Sequence, residues 1–437
     1  MEETMNGLAI LWQTIWLIFV FIQISKGKKN SILYVYLTFY LFFTFPLIQD
    51  LLYGKPEYKE KIGLQLASRS ETTSVLYAVY TSVVPIIWFV FFKLKSTDKL
   101  ESTKLDFFKF EKFKPVLYLL LIAPLFLVLL SPDPGVYWKY GAVVTELFNE
   151  ESSDYHVKIH LFSILSIISS VLLFLMNRKH NMMYLIYVLM PWVVLAMWLQ
   201  GKRAIVAIFI LMLGLTAIQK GLLKGWKIPL FGIVSALILV LFSSFYQENV
   251  RASHVNESPQ VSYTNSRIDF GRDSVTKLAI YSELNKDEKQ ILEYRGQSLL
   301  FYLTMYVPRS MWESKPWPYP VYVTTALFKN AFSVQYLGWT VTTSWLEEAI
   351  ANFGWFGMLL GPLGIGVICR TGDKSHNNII RVLTVLIGSL LLVLPLNSFF
   401  PIFAIWIGLI LLSRRRQPKA ENENIAMKNN LVKVVRM

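Results

Sequence analysis

The amino-acid sequence predicts an all-α polytopic integral membrane protein with about eleven transmembrane helices, or twelve, and a large extracytoplasmic loop holding short or re-entrant helices. Three observations carry that prediction. Hydrophobic residues make up 54% of the chain and charged residues only 16%, against a charged fraction of about a quarter in soluble domains. Apolar runs of about 16 to 20 residues recur, each long enough to cross a hydrocarbon core of about 30 Å. Positive charge sits beside the ends of those runs: seven lysines from Lys93 to Lys114, then Arg178-Lys179-His180, then Lys220, Lys224 and Lys227, then Arg414-Arg415-Arg416. That placement is the positive-inside bias. The net charge of +14 therefore speaks for a lipid bilayer as partner and against nucleic acid. Cys369 is the only cysteine, which excludes an intrachain disulfide and a thiol pair for metal.

The first run, residues 8–24, lacks a basic leader and a small-residue cleavage site, so it reads as a retained span. Glu2 and Glu3 precede it while Lys26, Lys28 and Lys29 follow it, which puts the N-terminus outside. Residues 31–50 make the second span, with Pro46 expected to kink it near its outer end, and 51–73 form an outer loop. The third span, 74–92, returns to the lysine-rich inner segment. The fourth, 115–131, opens on Pro115, a residue suited to a first helical turn. Ser131-Pro132-Asp133-Pro134-Gly135 breaks the pattern and starts an outer loop reaching residue 155. Spans 157–176 and 182–199 flank the basic inner turn. Gln200-Gly201-Lys202-Arg203 is a tight outer turn before span 204–218, and span 228–245 leads into the long loop. Three closing spans follow at 345–368, 382–396 and 399–412. The chain thus divides into an N-terminal bundle of about eight spans over 1–245, an extracytoplasmic loop over 246–343, a C-terminal bundle of about three spans over 344–412, and a basic cytoplasmic tail over 413–437. Within the loop, residues 297–307 are too short to span and read as a re-entrant or interfacial helix. No internal repeat is present, which counts against the repeat-built transporters.

Polarity concentrates in the long loop, and so does the candidate chemistry. The loop carries Arg251, Arg267, Arg272, Arg295 and Arg309, while the inner segment between Lys93 and Lys114 has lysine and no arginine. Topology asks only for positive charge. Arginine adds a planar fork of donors matched to paired phosphate oxygens, so its use outside points to an anionic ligand. The alternative for any single arginine is an ion pair with Asp269, Asp273, Glu283 or Glu293. Lys202 and Arg203 add a basic pair in the short outer turn, Arg203 standing at the very end of an apolar run. Pro308, Pro316, Pro318 and Pro320 stiffen the backbone around Arg309 and Lys315. Trp312, Trp317, Tyr319 and Tyr322 interleave with them, as interfacial anchors or as a surface for a sugar ring or lipid tail. Glu347 and Glu348 stand at the outer mouth of the ninth expected span. The helix dipole accounts for an acid there, and a carboxylate poised to take a proton at the membrane surface is the functional alternative. His254, His156 and His160 are further candidate bases on the outer side, although a lone histidine is more often structural or solvated. Phosphate-binding Gly-rich loops, metal-spaced His or Cys sets and Gly-x-Ser-x-Gly elbows are absent from the sequence, so neither metal nor cofactor is expected.

Tyr294-Arg295-Gly296-Gln297, the run Tyr306-Val307-Pro308-Arg309-Ser310-Met311-Trp312, and Lys315-Pro316 resemble the signature of bacterial oligosaccharide repeat-unit polymerases, the Wzy-type O-antigen and capsular polysaccharide polymerases. The run from Glu348 to Gly357 looks like that family's acidic residue and Asn-Phe-Gly stretch. Gly201-Lys202-Arg203 is similar to its basic outer turn, and Arg267 through Arg272 to the arginine-bearing part of its large loop. The resemblance covers about residues 200–366. It implies a GT-C-like membrane glycosyltransferase architecture and a reaction at the outer face of the plasma membrane. There a growing glycan on undecaprenyl pyrophosphate is transferred onto the non-reducing end of a new lipid-linked repeat unit. Preorganised cations would stabilise the pyrophosphate leaving group without a metal.

On this basis Glu348, Arg309, Arg295 and Arg203 are expected to be catalytic, with Glu348 (or His254) as the base for the acceptor hydroxyl. Lys202, Arg251, Arg267, Arg272, Lys315, Trp312 and His254 are expected to bind pyrophosphate or sugar. The implied partners are undecaprenyl-pyrophosphate-linked oligosaccharides, the bilayer, and a chain-length regulator and a flippase of the same pathway. Two other readings stay open: an O-antigen ligase-like enzyme with a different acceptor, and a lipid-linked oligosaccharide flippase. A flippase should line several spans with charge; the span interiors here are nearly free of it.

Overall fold

The computed structural model of the chain describes residues 2–58, 61–93, 111–138, 150–177, 183–200, 203–250, 267, 271–286, 290–328, 340–375 and 377–413. Among them every regular element is helical. Lys202, Arg251 and His254 lie outside the described residues, as do the inner segment 94–110, the basic turn 178–182 and the tail beyond residue 413.

Each expected apolar run is helical over most of its described length. α1 is Glu2–Ser25, and α2 (Ser31–Phe39) continues through a π-helical turn, Tyr40–Thr44, into α3 (Phe45–Tyr53). The turn has an identifiable cause. Pro46 has no N–H for the Phe42 carbonyl, and its ring presses on that carbonyl. The freed oxygen instead accepts the Arg272 backbone N–H at 3.0 Å. α4 (Ile62–Arg69), α5 (Glu71–Lys93), α6 (Lys114–Leu129), α7 (Pro134–Trp138) and α8 (Glu150–Met176) follow. A second π turn, Tyr184–Leu189, leads into α9 (Met190–Gln200), then come α10 (Arg203–Gln219) and α11 (Lys227–Val250). The long loop contributes α12 (Asp273–Leu284), α13 (Gln297–Thr304) and α14 (Tyr319–Ala326). α15 (Trp345–Phe353), α16 (Gly357–Asp373), α17 (Asn378–Val393) and α18 (Phe400–Ser413) complete the described chain.

Among the described residues five stretches are long and apolar enough to cross a membrane: Glu2–Ser25, Ser31–Tyr53, Glu71–Lys93, Lys158–Met176 and Trp345–Asp373. The other apolar helices are shorter. The last of the five is not one rod. At Gly354 the backbone turns left-handed, with φ of 63°, and a 3₁₀ turn over Gly354–Phe356 separates α15 from α16. A Cβ on Gly357 would lie 2.1 Å from the Ala349 carbonyl oxygen, one on Gly361 3.2 Å from Ala349 Cβ, and one on Gly364 3.1 Å from Trp345 Nε1. As the glycine number rises its neighbour's number falls. α15 therefore doubles back along α16, and the three glycines form the seam that lets the two backbones close. The expected ninth span over 345–368 is thus a hairpin, and only α16 continues into the bundle.

α16 and α17 pack against each other and are lined by α2, α5 and α10; α6, α8 and α9 form a second group that joins the first through α10. Polar contacts mark the two ends. At one end Asp373 accepts the Ser31 N–H at 3.0 Å and its hydroxyl at 2.6 Å, while Arg381 donates to the Ser375 carbonyl at 3.0 Å. At the opposite end the close of α3, the close of α17 and the loop helices gather. α12 is buried along nearly its whole length against α4, α5 and α15, so the loop is a folded cap on the bundle.

Candidate functional site

The cap is held by charge. Arg267 donates to both oxygens of Asp50, at 2.7 and 2.8 Å, and to both oxygens of Asp273, at 2.8 and 2.6 Å. Lys277 lies 3.1 Å from Asp273. Burial alone would raise the Asp273 carboxyl; Arg267 and Lys277 outweigh it and hold the group down at about 2. Desolvation pulls on Arg267 too, but its two carboxylates keep it well above its ordinary range. At 1% exposure, with its donor edges turned to carboxylates, Arg267 is placed as an anchor between α3 and α12 rather than as a surface for phosphate. Arg272 is also buried. Its Nε donates to the Val393 carbonyl at 3.2 Å, and its guanidinium sits 5.7 Å from the Phe42 ring.

From that anchor α12 braces both ends of α15. Thr276 donates to Glu347 at 3.2 Å. Near the other end Glu283 accepts Arg295 through two hydrogen bonds of 2.6 Å, and Arg295 also donates to the Ala351 carbonyl at 2.7 Å. Arg295 thereby closes the C-terminal turn of α15, where unsatisfied carbonyls favour a cation.

The two adjacent glutamates of α15 do different things. Ser344 is the N-cap, and Glu347 returns to the Ser344 N–H and hydroxyl to complete a capping box; such a pair satisfies two otherwise orphaned amides. Glu348 points instead at α13. Its Oε1 accepts the Ser298 hydroxyl at 2.8 Å and its Oε2 the Tyr302 phenol at 3.0 Å. Asn352 donates to Ser298 Oγ at 2.7 Å and to the Glu348 carbonyl at 2.8 Å. Residues four apart share a helix face. Ser298 and Tyr302 on α13 thus meet Glu348 and Asn352 on α15. Glu348 and Ser298 are fully buried and Tyr302 half-buried. Burial first, then the Glu348 charge, pushes the Tyr302 phenol well above its usual range, so it remains a proton donor.

The cations lie past the C-terminal end of α13. Lys315 donates to the Met305 and Val307 carbonyls at 2.9 and 2.8 Å, and its ammonium lies 5.3 Å from the Phe301 ring. Arg309 donates to the Lys315 and Pro316 carbonyls at 2.8 and 3.0 Å and stacks 3.4 Å from the centroid of Trp317. Among the described residues both cations are held by carbonyl oxygens and aromatic faces, and neither meets a carboxylate. Burial, and for Lys315 the nearby Arg309, lower both from their ordinary values. An anion placed there would reverse that. Trp312 is half-exposed close by and donates to Ser314 at 2.8 Å. Phe301, under Lys315, and Tyr302, against Glu348, are neighbours on α13 with rings 5.7 Å apart.

The structure therefore brings Glu348, Arg295, Arg309, Lys315 and Trp312 to one end of the bundle around α13 and α15. Arg203 opens α10, where its side chain is not among those described. His156 and His160 stand on α8 with rings 4.1 Å apart, beside Tyr137 of α7, in the other helix group. Ser298, Tyr302 and Thr276 were not anticipated from sequence; the spacing of Ser298 and Tyr302 on a short apolar helix is the signal that could have found two of them. No three His, Cys, Asp or Glu side chains gather to hold a metal ion among the described residues.

Neither a curated protein nor a solved structure matches the chain. Residues 3–414 do match a family described as O-antigen polysaccharide polymerase Wzy. That match takes in the helix bundle, the cap and every described residue around Glu348. On it, the chain belongs to the O-antigen polysaccharide polymerase Wzy family.

Proposed function

We propose that this polymerase joins oligosaccharide repeat units carried on undecaprenyl pyrophosphate, and that it does so at the outer face of the plasma membrane. The end of the bundle where Ser31 meets Asp373 also carries Lys26, Lys28, Lys29, Arg370 and Lys374. By the positive-inside rule it is cytoplasmic. The cap and Glu348 are then extracytoplasmic, the N-terminus is outside, and about eleven helical segments cross in a GT-C-like arrangement.

The observation that carries the reading is the division of charge about α13. Against α15 a buried carboxylate, Glu348, faces hydroxyl donors; past the C-terminal end of the helix Arg309 and Lys315 are held, among the described residues, without an acidic partner. A glycosyl transfer from a lipid pyrophosphate needs both. Glu348 is the base of the step, drawing a proton inward as the acceptor oxygen bonds to the anomeric carbon of the donor glycan. The bond from that carbon to the pyrophosphate breaks, and Arg309 with Lys315 stabilises the charge that develops on the leaving oxygens. The stack on Trp317 and the carbonyl bonds hold the guanidinium in place before substrate arrives, which is the preorganisation such a site requires. Arg203 is assigned to the second pyrophosphate. Arg295 supports the site by fixing the end of α15 while its exposed edge faces the same mouth.

The test is complementation of a deletion strain with R309A and with E348Q. Both should display single repeat units with no polymer ladder, at unchanged protein level. A normal ladder from either variant would refute its assigned role, and lipid-linked units trapped inside the cell in the deletion strain would point to a flippase.

A further inference from the structure

Glu348 is fully buried, so it cannot meet an acceptor sugar directly. Each of its oxygens is occupied by one hydroxyl, and the two hydroxyls differ in where they lead. Ser298 is also fully buried, and its oxygen is closed off by Asn352. The orientation of that amide is fixed, because the Glu348 carbonyl can only accept and so must face its NH₂ group. Tyr302 is half-buried and stands on the cap helix whose next residues, Leu303 and Tyr306, are 83% and 78% exposed. Of the two hydroxyls on the carboxylate, that of Tyr302 belongs to the less buried residue.

We propose that Tyr302 is the catalytic residue that receives the acceptor proton and passes its own to Glu348. The inference rests on the assignment of Glu348 as base. In one step the acceptor O–H proton moves to Tyr302 Oη and the phenolic proton moves to Glu348 Oε2. The acceptor oxygen forms its bond to the anomeric carbon, and the lipid pyrophosphate leaves with the electron pair of the broken C–O bond. Product release returns the phenolic proton from Glu348 to Tyr302, and the proton taken from the acceptor goes out to water.

The surroundings of the phenol suit a relay. Its hydroxyl faces Glu348 from α15 at 3.0 Å. Phe301 on the adjacent position packs under Lys315. The helix that presents the relay to the acceptor therefore also presents the cations to the leaving group.

The experiment uses the full-length chain in membranes from cells making their own lipid-linked repeat unit, with chain growth sized on gels and rates taken from product build-up. Y302F keeps the ring and removes only the hydroxyl. It should cut the rate about 10²-fold or more while thermal unfolding in detergent stays at the wild-type value. A second variant carries difluorotyrosine at position 302, whose phenol is more acidic. The relay must be protonated to act, so the alkaline limb of the rate profile should move to lower pH. Wild-type rates from Y302F alongside a dead E348Q would overturn the relay and leave Glu348 as base. Wild-type rates from both would overturn both assignments, and an unmoved alkaline limb in the fluorinated protein would overturn the relay alone.

Discussion

Replacing Gly357 by alanine tests whether the α15–α16 hairpin sets the site. The added Cβ would lie 2.1 Å from the Ala349 carbonyl oxygen, 2.4 Å from its carbon and 2.5 Å from the Ile350 Cα, all backbone atoms that no rotamer change can move. Non-bonded carbon contacts become favourable only near 3.5 Å, so α15 must retreat by roughly 1 Å. Overpacking of this kind costs about 1–3 kcal/mol. The larger consequence falls on position. Ala349 follows Glu348 directly, so the carboxylate moves with the helix, and a displacement of about 1 Å at a reacting group can cost about 10²-fold in rate. Gly364→Ala is the matched control, since its Cβ meets only the Trp345 side chain at 3.1 Å, and Gly408→Ala meets nothing within 4 Å. Thermal unfolding in detergent and gel sizing of the surface glycan read the two effects separately. A G357A protein as stable as wild type and equally able to build long chains would show that the close seam does not position Glu348.

Four further outcomes follow from the same geometry. E347A should lose about 1 kcal/mol of stability through the broken capping box and E348Q far less, whereas chain growth should suffer more in E348Q; unfolding curves and glycan ladders from the pair decide it. R267A leaves Asp50 and Asp273 buried with Lys277 as the remaining cation, and removing one partner of a buried pair costs about 3–5 kcal/mol, so folded protein recovered in detergent should fall sharply. A normal yield would mean the cluster is not the anchor of the cap. Asp273 titrates at about 2 when folded and near about 3.9 when unfolded, so its contribution is complete above about pH 4 and is lost as pH falls toward 2. Unfolding measured across that window should be steeper in wild type than in D273N. R295A removes the Glu283 pair and the bond to the Ala351 carbonyl, and it should shorten the glycan more than R295K does.

The bundle was legible because composition is local: each apolar run announces itself without reference to the rest of the chain, and the residues expected at 204–218 or 228–245 fall within helix. Pro46 was expected to kink its span, and the π turn at Tyr40–Thr44 lies just before it. The α15–α16 reversal was hidden by the same logic, since apolar residues run straight across Phe353 to Leu360 and only Gly354 and Gly357 betray a turn. Arginines were expected either to seek phosphate or to pair with nearby acids; Arg267 with Asp273 and Arg295 with Glu283 take the second course, while Arg309 meets no acid among the described residues. Arg267 also pairs with Asp50, 217 residues away, and no pattern in the sequence announces a pairing at that separation. Glu348 was singled out, but Ser298 and Tyr302 lie 50 and 46 residues from it, so its partners could be recognised only once α13 and α15 were seen to pack.

The ion cluster at Arg267 also bears on how the protein is made. Asp50 leaves the ribosome 217 residues ahead of its partner, which at about 5–20 residues per second is roughly 10 to 40 seconds. Throughout that interval the Arg267 partner of the acid at the close of α3 is still to be made, while the chain from α4 through α11 emerges. Asp50 must stay hydrated at the membrane surface and be buried only when Arg267 arrives. Closure of the cap is then among the last events of assembly, and a chain interrupted before residue 267 lacks the guanidinium that ties Asp50 to the cap.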